Sequence, residues 1–209
     1  MASDAFEKFR QSMSIGYMEW HDGIGYDLVA LAALPPEQLG AAEDLLLARH
    51  AADWRDLEAL DQIGSPRALR ELENALRSKS VDIRIEAAQR LAARSLLADS
   101  TIEATIVNAL TTTTILDGMV KTLAFAAEHP SPAVLRTLLN CSVNGNDDIR
   151  VHAAALVHFL YGGSSSSFDM NFRPFYLRFA SKHRQERHDA YRELCDKIGV
   201  EPEGRPTSR

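Results

Sequence analysis

Seven histidines and two cysteines are the residues of this 209-residue chain best suited to bind a metal ion. No two histidines lie four positions apart, the spacing at which a helix holds zinc. His152 and His158 lie six positions apart, which places them roughly 120° apart around a helix. Cys141 and Cys195 have no further ligands at zinc-finger spacing. The sequence therefore predicts no metal site and no cofactor.

Nucleophilic catalysis has no motif in this sequence either. The chain lacks a Gly-x-Ser-x-Gly turn, and the four serines at 164–167 follow two glycines, which is the composition of a flexible connector. Cys195 falls on the apolar side of a predicted helix together with Leu194, where a cysteine behaves as a small buried residue. We therefore expect a protein that is not an enzyme.

The segment 17–27 combines aromatic and acidic residues and is the first candidate for binding a partner. Tyrosine and tryptophan are favoured anchors of protein interfaces. The alternative is that these aromatic residues cover the open end of an array of helical repeats. The two interpretations are compatible. The residues predicted to bind a partner here are Glu19, Trp20, Asp22 and Tyr26.

Charge is distributed unevenly along the chain. Residues 1–62 contain 12 acidic and 4 basic residues, whereas residues 173–209 contain 6 acidic and 9 basic ones. An acidic N-terminal third would steer a basic partner toward it and repel nucleic acid. Asp53 and Asp56 join the predicted binding residues on this ground. Their structural interpretation is a helix cap for Asp53 and a solvated helix face for Asp56.

An internal repeat organises the middle of the chain. When residues 65–88 are shifted by 66 positions, 11 of the 24 residues are identical. A weaker copy lies halfway between, so the sequence predicts three repeats at 65–97, 99–129 and 131–162. They are flanked by a helical N-terminal cap at 1–64 and a helical C-terminal cap at 168–199. The tail, 200–209, is expected to be disordered.

Each repeat shows the pattern of two helices. The Ser-Pro pairs at Ser65 and Ser131 are helix starts, since serine caps and proline is tolerated at the first helical position. A second helix is predicted from about Ser80, and a break at 144–146 precedes the corresponding helix of the third repeat. We also expect Asp27 to cap a helix, a helix from Pro35-Pro36 to about His50, and Gly64 to end another helix. Stacked pairs of this kind form a right-handed all-α solenoid.

The sequence Asp-Ile-Arg-x-x-Ala-Ala occurs at 82–88 and again at 148–154. It resembles the second-helix signature of short HEAT-like repeats, the compact form also found in phycobilisome-lyase-type proteins. The resemblance implies that the aspartates and arginines of this motif form a structural ladder between repeats: Asp82, Arg84, Asp148 and Arg150. The N-terminal section is similar to bacterial HEAT-repeat proteins of unassigned function.

The resemblance also implies where a partner binds. In HEAT-like repeats the second helices line the inner face, which here places Glu86, Gln89, Lys121 and His152 there. We expect one protein partner, basic in charge, and among bacterial helical-repeat proteins the narrower expectation is an immunity protein that neutralises a toxin. The alternative is a HEAT-like enzyme or nucleic-acid-directed protein, of the chromophore lyase or DNA glycosylase type.

The C-terminal part, 168–198, interleaves aromatic and basic residues. This mixture is typical of nucleic-acid binding, but it also fits a pair of capping helices with one apolar face. The overall charge of −6 favours the second interpretation. The longest run without charged residues is 151–168, but its apolar part stops at Tyr161, far short of the roughly 20 apolar residues of a membrane span. The N-terminus does not resemble a signal peptide. We expect a cytoplasmic protein.

Overall fold

The computed structural model describes residues 3–14, 16, 18–19 and 22–202, and every regular element within them is helical. The predicted all-α class is confirmed. The chain divides into two compact units, the first ending at Ala98 and the second beginning at Asp99. The solenoid arrangement, the number of repeats and the predicted domain boundaries stay predictions. None of the described helices is long and apolar enough to cross a membrane.

The first unit buries its apolar residues in two clusters. Phe9, Leu46 and Leu60 belong to the first cluster, and Leu72 and Leu91 to the second. The helices of this unit whose bounds lie within the described residues are α1 (Asp4–Ser12), α2 (Leu28–Ala32), α3 (Pro36–Leu47), α4 (Trp54–Ile63), α5 (Pro66–Ala75) and α6 (Val81–Ala93).

Local signals set the ends of these helices. Asp27 caps α2 by accepting a hydrogen bond from the backbone N–H of Ala30 (2.8 Å), and Ser65 caps α5 in the same way through Ala68 (3.1 Å). Gly64 ends α4 in the left-handed region (φ 62°), as predicted. Helix α3 stops at Leu47, before the predicted end near His50, because His50 lies at φ 53°.

The second unit contains six α-helices and two 3₁₀ turns among its described residues. Its helices are α7 (Asp99–Thr112), α8 (Met119–Glu128), α9 (Pro132–Asn144), α10 (Ile149–Leu160), α11 (Arg173–Leu177) and α12 (Arg184–Ile198). The 3₁₀ turns are Met170–Phe172 and Arg178–Ala180. The predicted C-terminal helix pair is thus one short helix, two turns and one long helix. Most of the tail expected to be disordered, 203–209, lies outside the described residues.

The motif residues of the predicted ladder have structural partners. The Asp148 carboxylate accepts a hydrogen bond from the backbone N–H of Ile115 (3.0 Å), which lies in the preceding predicted repeat. Arg150 donates to the backbone carbonyls of Gly145 (3.0 Å) and Phe179 (2.9 Å). Arg84 donates to the backbone carbonyls of the turn before α6. These side chains therefore bond turns rather than facing a ligand.

Candidate functional site

The second unit carries an apolar groove of about 250 Å³. Five of its lining residues come from α8, two from α10 and two from the segment that follows α10. No lining residue is an aspartate, glutamate, lysine or arginine. The residues that line the groove are Met119, Val120, Leu123, Ala124, Ala127, His152, Leu156, Ser167 and Phe168.

Helix α8 is apolar on two sides, and the groove uses only one of them. Its inward side is buried by Phe125 and Ala126. On the groove side Val120 is 73% exposed, Ala124 is exposed, and Leu123 is half-buried. The polar residues of α8 are Lys121, Thr122 and Glu128, which lie away from the groove side, and a surface helix normally buries its apolar sides. The open side of α8 therefore indicates a surface that a further molecule covers.

His152 and Phe168 form the polar and aromatic end of the groove. Their ring centroids lie 5.3 Å apart, and Ser167 lines the groove beside them. Burial lowers the pKa of His152, so the ring is neutral at pH 7 and adds no charge. We call Ser167 and Phe168 the aromatic wall of the groove. The groove is thus uncharged at neutral pH.

A buried histidine and tyrosine support the aromatic wall from behind. The ring of Phe168 packs against Tyr176, with the centroids 5.4 Å apart. The Tyr176 hydroxyl lies 2.9 Å from Nδ1 of His158, and the two residues are 0% and 2% exposed. The Phe172 ring meets His158 edge-on at 4.7 Å. The wall is therefore positioned by packing from residues that solvent does not reach.

Burial sets the protonation states of this pair. Burial raises the pKa of Tyr176, so the phenol keeps its proton at neutral pH. Burial lowers the pKa of His158, and the positive charge of Lys197 lowers it further against the opposing effect of Asp169. In the neutral tautomer that carries its proton on Nε2, the Tyr176 hydroxyl donates to Nδ1.

The loop 113–118, which leads into α8, presents two apolar side chains to solvent. Ile115 is 63% exposed and Leu116 is 94% exposed. Thr113 is fully buried, and its hydroxyl donates to the carbonyl of Asp117 (2.8 Å) while its own carbonyl accepts from Asn146 (2.7 Å). The hydrogen bond from Ile115 to Asp148 adds a further attachment. The loop is therefore held in place while its apolar tip remains uncovered.

The predicted aromatic and acidic binding segment is only partly on the surface. Glu19 and Asp22 are exposed, and Trp20 lies outside the described residues. Tyr26 is 5% exposed and its hydroxyl donates to the carboxylate of Asp56 (2.7 Å). In this fold Tyr26 therefore packs in the interior instead of contacting a partner.

Asp56 is fully buried, so its interpretation as part of a solvated helix face is wrong. Its carboxylate accepts hydrogen bonds from Nε of Arg49 (2.6 Å), from Tyr26 and from the backbone N–H of Asp53 (3.1 Å). Sequence reasoning missed this because Arg49 approaches from before α4. With no exposed surface, Asp56 cannot contact a partner.

Asp53 caps α4, as predicted, and also pairs with Arg55. It accepts from the backbone N–H of Arg55 (3.0 Å) and from Nη2 of the same side chain (2.6 Å). Burial would raise the pKa of Asp53, but the hydrogen bonds and the charge of Arg55 outweigh it and lower the pKa. Asp53 is therefore engaged within the first unit.

The predicted inner-face residues Glu86 and Gln89 lie on α6. Glu86 is 9% exposed and pairs with Arg90 (2.6 Å), which also approaches Asp61 and Glu58. Gln89 is half-buried. The other two predicted inner-face residues, Lys121 and His152, belong to the second unit. His152 lines the groove, and Lys121 lies on α8, the helix that also carries Val120.

The acidic excess of residues 1–62 is largely neutralised within the first unit. Among the described residues, at least eight of its twelve carboxylates have a lysine or arginine within ion-pair distance, and three of those arginines lie beyond residue 62. The local field that would attract a basic partner is correspondingly weaker than the residue count suggests. The paired carboxylates are Asp4, Glu7, Glu43, Asp44, Asp53, Asp56, Glu58 and Asp61.

Sequence reasoning missed the groove on α8 and the apolar loop before it. The sequence does not mark Ile115-Leu116 or the apolar residues of α8 as uncovered, and Lys121 and Glu128 give α8 a polar stripe. Within the described residues, no three histidine, cysteine, aspartate or glutamate side chains are grouped so as to hold a metal ion.

Comparison of the chain with protein-family models, with characterised proteins and with solved structures finds no match. The resemblance to HEAT-like repeats therefore stays a prediction that rests on the two motif copies. The groove and the loop are the features from which function can be argued.

Proposed function

We propose that the protein is a non-catalytic protein-binding module and that its binding surface is the apolar groove of the second unit. The observation that carries the proposal is the open side of α8. Val120, Leu123, Ala124 and Ala127 follow the spacing i, i+3, i+4, i+7 that places residues on one helix face. Burial of this face by a partner removes apolar area from water, which is the main favourable term in association.

The groove favours an amphipathic helix as the bound segment. Apolar side chains at helical spacing are recognised by laying a second helix along them, and Ala124 and Ala127 allow its backbone to approach closely. The absence of lysine, arginine, aspartate and glutamate from the lining favours uncharged apolar side chains on the partner. The volume of about 250 Å³ lies below the usual range of about 300–1,000 Å³ for small-molecule sites.

The loop residues Ile115 and Leu116 extend the proposed surface. Apolar side chains that are held in position before binding lose little conformational entropy on association. Leu116 is 94% exposed on a loop fixed by Asn146 and Asp148. We therefore expect Leu116 to be an anchor for the partner, next to Val120 at the start of α8.

The narrower hypothesis of an immunity protein rests on the acidic first unit. Glu19 and Asp22 are exposed there and would steer a basic toxin. Because eight carboxylates of that unit are paired internally, we place the main binding energy at the groove and assign the acidic residues a role in association rate. High salt would then lower the association rate of a toxin complex but leave most of its affinity unchanged.

Affinity capture with a matched pair of variants tests the proposal. Val120→Asp introduces a charge into the groove at the second position of α8. Val29→Asp makes the same change at the second position of α2, where the valine is 83% exposed. We expect the wild type and Val29→Asp to retain one specific protein from the native cells. Val120→Asp should weaken its binding by roughly 2 kcal/mol, the size of an interface hot spot.

Titration calorimetry with the purified partner provides the quantitative readout. Leu116→Asp should also reduce affinity if the loop belongs to the surface. All variants must show the unfolding transition of the wild type, so that a loss of binding reports the surface and not the fold. A partner that binds Val120→Asp and Leu116→Asp as tightly as the wild type would refute the groove as the binding surface.

A further inference from the structure

Two histidines of α10 hold the aromatic wall of the groove. His152 packs directly on Phe168, and His158 acts through Tyr176, whose ring also packs on Phe168. The position of Phe168 thus depends on contacts that both histidines make. A change of charge at either ring acts on the wall within one or two contacts.

His158 is enclosed on several sides. Its ring is 2% exposed, the Phe172 ring meets it edge-on, and the backbone of Gly163 lies against it so closely that a Cβ at that position would fall 2.2 Å from Cδ2. A proton added to Nδ1 would turn this nitrogen from an acceptor into a donor, so the Tyr176 hydroxyl would have to rotate and give up its hydrogen bond to the ring. Charging a buried group is unfavourable, so protonation favours states in which the structure around the ring opens.

Two charged groups act on an imidazolium at His158, and they act in opposite directions. Lys197 of α12 acts against it, and Asp169 is the described carboxylate that acts in its favour. Asp169 is already engaged, because it accepts from the Ser165 hydroxyl (2.7 Å) and from the backbone N–H of Asn171 (2.9 Å). These donors are neutral, so they hold the Asp169 carboxylate in its own turn and lower its pKa, and its negative charge remains.

The other elements packed on α10 add no counter-charge. The 3₁₀ turn after α11 brings Arg178 and α12 brings Glu193, but these two form an ion pair with each other, and Glu193 also approaches Lys197 (3.5 Å). From α8 and α9, no charged group of the described residues acts on His158. The pKa of His152 is lowered by burial alone. An imidazolium at 158 would therefore face the opposing effects of Lys197 and Asp169, and burial, the largest effect, acts against it.

We propose that protonation of His158 releases the aromatic wall, Ser167 and Phe168, from α10, so that the groove is complete at neutral pH and lost in mild acid. The inference rests on the proposed function for its biological use, since it would make partner binding sensitive to pH. The release itself needs no partner and is a property of the second unit alone. Histidine is suited to this role because it titrates between about pH 5 and 8.

Hydrogen exchange of the full chain at pH 7.5 and pH 5.0, corrected for intrinsic rates, tests the release. In the open state His158 would titrate near its ordinary value of about 6.5, so the opening equilibrium should rise about tenfold to thirtyfold between these two pH values. We expect this increase in peptides that cover 163–176. Peptides from α7 in the same unit should change less than threefold.

A non-titrating variant assigns the effect to one ring. His158→Gln offers an amide oxygen to Tyr176 and takes up no proton at pH 5, so it should abolish the pH response of 163–176. The matched control His183→Gln, an exposed position before α12, should retain the response. If His158→Gln does not fold, the histidine NMR titration of the wild type decides: a His158 ring that titrates like His183 overturns the proposal.

Three results would contradict the inference. They are no rise of exchange in 163–176, an equal rise in α7, which indicates acid unfolding of the whole unit, and loss of the response in His152→Gln rather than in His158→Gln. Each leaves the binding test with Val120→Asp unaffected, because exchange is measured without a partner. Conversely, a failure of that binding test leaves the exchange result standing.

Discussion

The side-chain amide of Asn146 donates a hydrogen bond of 2.7 Å to the carbonyl oxygen of Thr113, which lies 33 residues earlier in the chain. The backbone N–H of Ile115 reaches the Asp148 carboxylate across the same separation. Both separations equal the spacing of the predicted repeats. The turn between α9 and α10 is therefore bonded to the corresponding turn between α7 and α8, and this bonding holds the apolar loop that presents Leu116.

We predict that Asn146→Ala destabilises the second unit by about 1–3 kcal/mol. The substitution leaves the Thr113 carbonyl without its donor, and it removes the Oδ1 atom that accepts from the backbone N–H of Ile149 (3.1 Å) at the start of α10. Chemical denaturation gives the loss of stability, and hydrogen exchange should show faster opening of 113–118. Asn144→Ala is the control, since that exposed amide donates to Asn140 within α9, and a similar loss there would contradict the assignment.

The buried carboxylate of Asp56 should be the most sensitive polar site of the first unit. Asp56→Ala leaves Arg49, Tyr26 and the Asp53 N–H without their acceptor, for an expected cost of about 3–5 kcal/mol. Tyr26→Phe removes one donor and should cost about 1 kcal/mol. Both tryptophans of the chain belong to this unit, so fluorescence during denaturation follows it.

A surface ion pair supplies the control for Asp56. The Asp44 side chain is 65% exposed and pairs with Arg67 at 2.6 Å. Asp44→Asn should change stability by less than about 1 kcal/mol, because solvent screens the pair. If Asp56→Ala were no more harmful than Asp44→Asn, the buried network would not contribute as the structure indicates.

The sequence predicted the helix ends better than the burial of its charged residues. Ser65, Asp53 and Gly64 act on neighbours within four positions, so their residue types and spacing were sufficient. Asp56 is different, since its burial depends on Tyr26, 30 positions earlier, and on Arg49 from the turn before α4. A local pattern cannot distinguish a solvated carboxylate from one that distant donors enclose.

Only one residue that lines the groove was among the residues predicted to bind a partner. His152 was placed on a binding face by its position on a second helix, and it lines the groove. Val120, Leu123 and Leu116 were not, because an apolar residue carries no mark in the sequence of whether a neighbour covers it. The residues of α8 are apolar on both sides, so only the packing of α10 and the segment 163–176 shows which side stays open.

Acid should destabilise the first unit through Asp53. Hydrogen bonds from Arg55 outweigh burial and lower the pKa of Asp53 in the folded state. A depressed carboxyl pKa contributes stability above the unfolded value of about 3.9, and this contribution is lost as pH falls through the folded value. We therefore expect the free energy of unfolding to fall with pH below about 4, with a smaller slope in Asp53→Asn, which keeps a helix-capping side chain. An unchanged slope in Asp53→Asn, measured by tryptophan fluorescence, would contradict this account.

Two glycines should respond to alanine with opposite signs. Gly163→Ala places a Cβ 2.2 Å from Cδ2 of His158, a buried ring that cannot move aside, so we expect a loss of about 1–3 kcal/mol in the second unit. Gly40→Ala lies inside α3 with no atom within 4 Å of the new Cβ, and alanine stabilises a helix interior by roughly 0.5–1 kcal/mol relative to glycine. Thermal unfolding of the two variants measures both effects. A Gly163→Ala protein as stable as the wild type would mean that the backbone at 163 does not enclose His158, and the aromatic wall would then lack the support on which its response to acid depends.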